Sequence, residues 1–482
     1  MTSMRMRKMV LVLLMVMLVI SVAAACSGNN GGGAAKDTPP AASSGGNSGG
    51  TDGEKPPEKV AISVYYPTPD RVEDRALEDD KISRFQQKYP HVEIIKADWQ
   101  YNPSEIGIKM GANEAPTLFN TYATEGKFLM ERGWAADITA LWNGYEKRDQ
   151  FNPVMASQFT FNDKVYGIPQ RGYVVATVVN TKMLRDKGVA LPPLDWTWDD
   201  LYEAASAVAE PNAGISGIAL MGKGNESGWN WTNFLFEAGG EIQDVSGGKV
   251  TATFNSDAGL KALEFYHKLR WEGNAIPTDW ALGWGDAVGS FAQGRTAMVV
   301  AGADGPVDQG LNQGGMSKDD IAVYPMPAFA KGGKHTGVLG GDYLVINPNA
   351  TPAEQEAAFN YAVFDYFSDD AIASAETSIQ ARAEEGKFFI PPVIEYFTMD
   401  SEYGQKMKAL YDNYDNVYQY DQTTLDLLDG KPEAQFNTQE FYAAMTNVIQ
   451  EVFSNEKVDL KAELEGAAKQ VQETVFDLIE VE

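Results

Sequence analysis

Cysteine is almost absent: Cys26 is the only one in 482 residues. A lone thiol excludes an internal disulfide and any cysteine-clustered metal site. Histidine is nearly as scarce. His91, His267 and His335 are far apart, at none of the spacings that metal ligands use. Basic charge is in deficit, with 39 Lys and Arg against 67 Asp and Glu and a net charge of −28. So acidic a surface repels nucleic acid and anionic headgroups, and neither is an expected partner. Long apolar runs are missing apart from Met9–Val22, which only Ser21 interrupts. A spanning helix needs ~20 such residues. Nucleotide and catalytic signatures are lacking as well. Gly222-Lys223-Gly224 begins a G-x-G pattern, but Ser227 stands where the third glycine belongs. Gly46-Asn47-Ser48-Gly49-Gly50 matches a nucleophile elbow without the strand and helix that would give it strain. Neither an EF-hand loop nor a His-based triad is found. Paired carboxylates abound in so acidic a chain and by themselves identify no glycosidase. No catalytic residue, metal or cofactor is expected.

What is present begins at the N-terminus. Arg5, Arg7 and Lys8 precede the apolar run, and Ala23, Ala24 and Ala25 precede Cys26. A basic head, a short apolar stretch and small residues at a cut site make a secretory signal over residues 1–25. A cysteine at the cut resembles the lipobox of bacterial lipoproteins, with Ala23 where leucine is usual. The resemblance implies that Cys26 becomes a lipidated N-terminus, anchoring the protein outside the cytoplasm without a spanning helix. Residues 26–58, rich in Gly, Ser, Asn, Ala and Pro, bury no core and read as a tether.

The remainder exceeds one compact core, so two lobes are expected. Val60, Ile62 and Val64 alternate with less apolar neighbours, as in a strand. Leu77, Ile82 and Phe85 follow at helical spacing, Val92–Ile95 reads as a second strand, Ile106–Gly111 as a helix and Pro116–Tyr122 as a third strand. This β-α-β-α-β rhythm predicts a mainly parallel sheet flanked by helices, with binding at the strand C-termini. Thr197 with Asp200, Ser256, and Thr351-Pro352-Ala353-Glu354 are helix-start signals, the last opening a helix through Phe367. Phe441–Asp477 is also helical in pattern.

Several blocks carry a family resemblance. Tyr166-Gly167-Ile168-Pro169 turns into a strand ending at Val179-Asn180, and Thr197-Trp198-Asp199-Asp200-Leu201 starts the helix beyond it. Phe291-Ala292-Gln293-Gly294-Arg295-Thr296-Ala297-Met298 and Tyr324-Pro325-Met326-Pro327 follow, then Gly337–Tyr343. Together they resemble the extracellular solute-binding proteins of bacterial ABC importers, the sugar-binding group typified by maltose-binding protein. Their patterns are YGIP, YN, TW-D-L and F-x-x-G-K-x-A-M; Val179 departs from the tyrosine of YN.

The resemblance implies a two-lobed α/β clamshell of type II with a helical C-terminal part. Lobe 1 would hold 59–171 and 337–384, and lobe 2 would hold 172–336 and 385–482. Crossings are expected near Arg171–Val175, Lys334–Val338 and Ala381–Phe388. The expected ligand is a mono- or oligosaccharide, handed by a monomeric protein to membrane permease subunits.

A sugar ring offers an apolar face and a rim of hydroxyls, so its site needs aromatic platforms beside polar acceptors. Trp229, Asn230 and Trp231 are expected in a loop that presents stacking aromatics. Tyr173 lies at the first crossing, Asp304 after the strand Met298–Gly302, and Gly341 with Asp342 at the second crossing. Thr121 and Tyr122 end the third strand. Asp70 follows the first strand, and Phe441, with Tyr442, matches a family aromatic near the C-terminus. Trp280 and Trp284 suit either core or cleft. Acidic groups beside aromatics leave a cationic solute open as ligand. A glycan-cleaving enzyme and an adhesive surface lipoprotein are rivals of other classes.

Overall fold

A computed structural model describes residues 59–69 and 71–481. The signal, Cys26, the tether and Asp70 lie outside the described residues. The strand Val60–Tyr65 forms where alternation required it, with Ile62 and Val64 wholly buried. It pairs in parallel with Val92–Ala97 and Leu118–Tyr122. The helix Val72–Lys88 connects the first two strands and buries Ile82 and Phe85 against them.

The sheet runs in the order Val92–Ala97, Val60–Tyr65, Leu118–Tyr122, Thr336–Ile346, Ile168–Asn180, Thr296–Gly302, Ser216–Ala219. Two long strands make it continuous across both lobes. Ile168–Asn180 pairs antiparallel with Thr336–Ile346 through its first half and with Thr296–Gly302 through its second. Thr336–Ile346 pairs with Leu118–Tyr122 at one end and with Asp429–Pro432 at the other. Helices cover both lobes, giving a two-lobed α/β fold.

The apolar cores separate by lobe. Around the first three strands, Phe85, Leu118, Ile168, Leu344 and Tyr361 pack together. Beyond the crossing, Val175, Trp196, Leu201, Phe234, Leu263, Phe441 and Phe453 make a second core. The Thr197–Asp200 and Thr351–Glu354 capping boxes both form, and Ser256 caps its helix through the Gly259 N–H. The C-terminal pattern resolves into two helices, Thr438–Ser454 and Leu460–Thr474.

Four expectations need correction. The third strand begins at Leu118, two residues after Pro116. The helix opened by Thr351 stops at Ala362, short of Phe367. Phe367 takes a left-handed φ of 55° and wedges edge-on against Phe151, at 4.8 Å between ring centroids. Burial of its ring holds a backbone conformation that non-glycine residues otherwise avoid. Residues 385–482 do not belong wholly to the second lobe. Phe397, Tyr403, Met407, Leu410, Tyr411 and Val417 join the first core, while Phe388, Ile390 and Val393 pack with the second lobe. The helix Glu402–Asp412 carries Tyr403, Met407, Leu410 and Tyr411 on one stripe, and that stripe is covered only in the first lobe.

The fourth correction moves Trp229, Asn230 and Trp231 from a loop into the helix Glu226–Glu237. Residues two apart on a helix point to nearly opposite sides, because each residue turns the chain by about 100°. Trp231 is therefore wholly buried beside Phe441, whereas Trp229 is only partly buried. Removing the buried ring should leave a cavity costing about 3–5 kcal/mol. Trp231→Ala should show this loss in denaturant unfolding, and Trp229→Ala should lose clearly less. Equal losses would mean that the two rings are not sorted between core and cleft.

Candidate functional site

The two long strands meet at the base of an open cleft of about 1110 Å³. That volume exceeds the roughly 300–1,000 Å³ usual for small-molecule sites. Tyr101, Tyr122 and Thr124 line it from the first lobe. Arg171, Tyr173 and Asp342 line the base. Glu226, Trp229, Trp284, Asp304, Gln439 and Tyr442 are among the residues of the second lobe that face it.

Close packing at the base fixes the Tyr173 ring. A Cβ on Gly340 would stand 2.4 Å from its hydroxyl, and one on Gly302 would stand 3.1 Å from its Cγ. A side chain on Gly340 would displace the ring, and one on Gly302 would crowd it. The ring meets Trp229 edge to face, at 6.3 Å and 85°. Trp284 lies over Gly305, where a Cβ would come within 2.6 Å of its ring.

Polar groups flank these rings. Arg171 Nε donates to Asp342 Oδ2 at 2.7 Å, and its Nη1 stands 3.7 Å from Asp304 Oδ2. Burial disfavours the Arg171 charge, but Asp342 and Asp304 outweigh it and hold the guanidinium above its ordinary range. Burial pushes the Asp304 carboxyl up, with Arg171 opposing. Asp304 starts the short helix Asp304–Asp308, so it also borrows backbone N–H groups there. The result is one fixed cation between two acceptors, all within reach of the aromatic platform. Such a base can accept from, and donate to, a ring of hydroxyls.

Tyr122, Tyr173, Trp229, Asp304 and Asp342 are thus brought to one cleft. Five other candidates are not. Asn230 is buried and ties the helix to the sheet, donating to the Val300 carbonyl and accepting from the Tyr266 hydroxyl, each at 3.0 Å. Trp231 is in the core. Phe441 packs between Trp231 and Phe254, while its neighbour Tyr442 faces the cleft. Thr121 is wholly buried and Tyr122 is 41% exposed, because adjacent strand residues point to opposite faces. Gly341 sits behind the base, where a Cβ would meet Met155 Cε at 2.6 Å and the Arg171 carbonyl at 2.7 Å. Trp280 packs near Phe453 at 5.8 Å, whereas Trp284 lines the cleft.

Sequence reasoning missed Arg171, Glu226, Glu433 and Gln439. Arg171 carried a usable signal: it lies two residues from Tyr173 on the same strand, and so shares its face. The other three come from segments with no motif.

The chain belongs to the bacterial extracellular solute-binding proteins: that family's profile matches residues 68–367, more than half of the chain. It is 30% identical over 185 residues to a probable amino-acid ABC transporter periplasmic-binding protein of Sinorhizobium fredii. That match covers 37% of this chain and 40% of the relative. Identity to an arabinooligosaccharide-binding protein of Bacillus subtilis is 22%, over 46% of this chain and 49% of the relative. The chain therefore spans less than half the length of either curated relative in these matches. The fold resembles an ABC transporter solute-binding protein of Thermotoga lettingae bound with α-D-tagatose. The TM-score is 0.65 at 19% identity, covering 86% of this chain and 99% of the other.

The electrostatics of the base can be tested directly. Arg171→Met removes the cation that opposes burial at Asp304. The Asp304 carboxyl, followed by carbon NMR, should then titrate at higher pH than in the unaltered protein. An unmoved titration would show that Arg171 does not hold the pair.

Proposed function

We propose that this protein is the lipid-anchored binding component of an ABC importer, capturing a mono- or oligosaccharide outside the cell. The observation that carries the reading is the base of the cleft. There the Tyr173–Trp229 pair stands beside Arg171, Asp304 and Asp342. Aromatic faces bury the apolar side of a sugar ring, while the carboxylates and guanidinium satisfy its rim. The arabinooligosaccharide-binding relative and the tagatose-bound structure support this ligand class.

Closing would bring the first-lobe tyrosines over a ligand already seated on the second lobe, by a hinge at the two long strands. The closed lobes together would present the surface read by the permease subunits. The protein would act as a monomer and leave its ligand chemically unchanged. Asp304 and Asp342 share one guanidinium, an arrangement suited to holding hydroxyls. Recovering the bound oligosaccharide intact would support binding without cleavage; shortened chains would favour a glycosidase.

The reading is tested by a thermal-shift screen of sugars and amino acids against the purified protein. A sugar present at ~100 Kd should add about 2.7 kcal/mol of stability. With that sugar, Trp229→Ala should weaken binding by ~2–4 kcal/mol in calorimetry, the range of central aromatic anchors. Stabilisation by amino acids alone would overturn the carbohydrate assignment. Wild-type affinity in Trp229→Ala would overturn the stacking account.

The anchor rests on the sequence Ala23-Ala24-Ala25-Cys26. The protein should incorporate labelled fatty acid and sediment with membranes. Cys26→Ser should lose the label, and equal labelling of that variant would exclude lipidation at Cys26.

A further inference from the structure

The Tyr173 ring at the base of the cleft has two chemically different ends. At its Cγ end a Cβ on Gly302 would stand 3.1 Å from Tyr173 Cγ and 3.3 Å from Asp304 Oδ1. Asp304 shares the Arg171 guanidinium with Asp342, so this end holds a fixed cation. At the other end the hydroxyl lies over Gly340. The strand Asp429–Pro432 runs beside that stretch, with Pro432 opposite Leu339. Glu433 is the next residue and arrives level with the Tyr173 hydroxyl. Burial pushes that hydroxyl well up, and among the charged groups Glu433 adds most.

Glu433 lines the cleft and enters no ion pair among the described residues. Its one hydrogen bond comes from the hydroxyl of Tyr442, whose ring is wholly buried. That bond fixes one carboxylate oxygen and leaves the other to meet a ligand. Cations nearby are engaged elsewhere. Lys431 donates to Glu241 at 2.6 Å and stands 4.2 Å from the centre of the Phe236 ring. Lys127 is 3.1 Å from Glu131. Lys223, the other cation lining the cleft besides Arg171, is exposed.

The aromatic groups at this end suit a cation. Tyr173 meets Trp229 at 85°, so the two rings form a corner rather than one flat platform. Both are partly buried. A sugar face stacks on one wall of such a corner. The second wall and the carboxylate beside it suit a compact cation, which the negative face of an aromatic ring attracts. A neutral hydroxyl there leaves the Glu433 charge uncompensated in a cleft that loses water when a ligand fills it.

We propose that the carbohydrate captured in this cleft is an amino sugar, its ring on Tyr173 and its ammonium at the Glu433 end of the Tyr173–Trp229 corner. The proposal rests on the carbohydrate reading and adds the charge of the ligand. Hydroxyls at the opposite edge of the sugar go to Arg171, Asp304 and Asp342. Tyr442 is a positioning residue that aims Glu433. Burial pushes the Glu433 carboxyl up to about 8, with Tyr442 opposing and Glu125 adding. An ammonium in contact favours the ionised form, so carboxylate and ligand compensate each other.

Calorimetry of the full chain with matched sugars tests this. Glucosamine, galactosamine and glucosamine oligomers are each set against the neutral parent sugar and the N-acetyl derivative, which keeps the bulk and loses the charge. An amino sugar should bind on the order of tenfold more tightly than either partner. Glu433→Gln should erase that difference. Tyr442→Phe should narrow it, whereas a merely structural loss would weaken all forms alike. Equal affinities for the matched forms overturn the amino sugar and leave the carbohydrate reading standing. Ethanolamine bound as tightly as any amino sugar overturns both, since no sugar ring is then needed. Failure of every amino sugar to bind, or a preference kept in full by Glu433→Gln, also overturns the proposal. If that variant does not fold, the matched comparison in the unaltered protein decides alone.

Discussion

The antiparallel pairing of Ile168–Asn180 with Thr336–Ile346 is the constraint on which the rest of the molecule depends. Each strand belongs to both lobes, and their shared segment runs from Ile168 opposite Leu344 to Val174 opposite Leu339. Backbone bonds in that segment cannot stretch far without losing their partners. The pairing therefore sets the spacing of the lobes and the depth of the cleft. It also places Arg171, Tyr173 and Asp342 at the base, since these residues ride on the paired strands. Gly340 and Gly302 then let one aromatic ring lie flat on the sheet. Recognition chemistry is built into the joint rather than hung from loops around it.

The electrostatics of the cleft follow from how each carboxylate is satisfied. Asp342 and Asp304 share Arg171 and so stay useful as acceptors. Glu433 and Glu125 have hydroxyl partners without a cation, and both are held above the ordinary carboxylate range. Glu433 lines the cleft with Asp304 and Asp342, whereas Glu125 lies buried beside Thr124, which lines it. The surrounding acidic surface adds a field that disfavours anionic solutes.

Most of the first lobe was legible in the sequence, because its strands and helices announce themselves through alternation and caps. Val60, Ile62 and Val64 have one strong period, and Thr351 with Glu354 has one strong chemical reason to start a helix. The site was only partly legible. Trp229 and Trp231 looked equivalent because Gly and Asn nearby suggested a loop; inside a helix they separate into cleft and core. Thr121 beside Tyr122, and Phe441 beside Tyr442, show the same difficulty. Naming adjacent residues for one site ignores that a strand or helix turns one of them away. Asn230 was named with the two tryptophans of the expected loop, yet its amide serves the backbone of Val300. Glu433 and Gln439 could not be found from local pattern, since what brings them to the cleft is packing between segments distant in sequence. The same holds for the return of Phe397–Val417 to the first core, which no motif marks.

That return has a mechanical consequence. Besides the two long strands, a third stretch joins the lobes, with Phe388, Ile390 and Val393 packed on one side and Phe397, Tyr403 and Met407 on the other. Two ties side by side can still twist about each other, like a strap. A third makes a spine with width, which resists torsion and shear while leaving a bend comparatively soft. The lobes then sample few relative orientations before a ligand arrives. Little orientational freedom remains to be lost on capture, so more of the contact energy is left to hold the ligand.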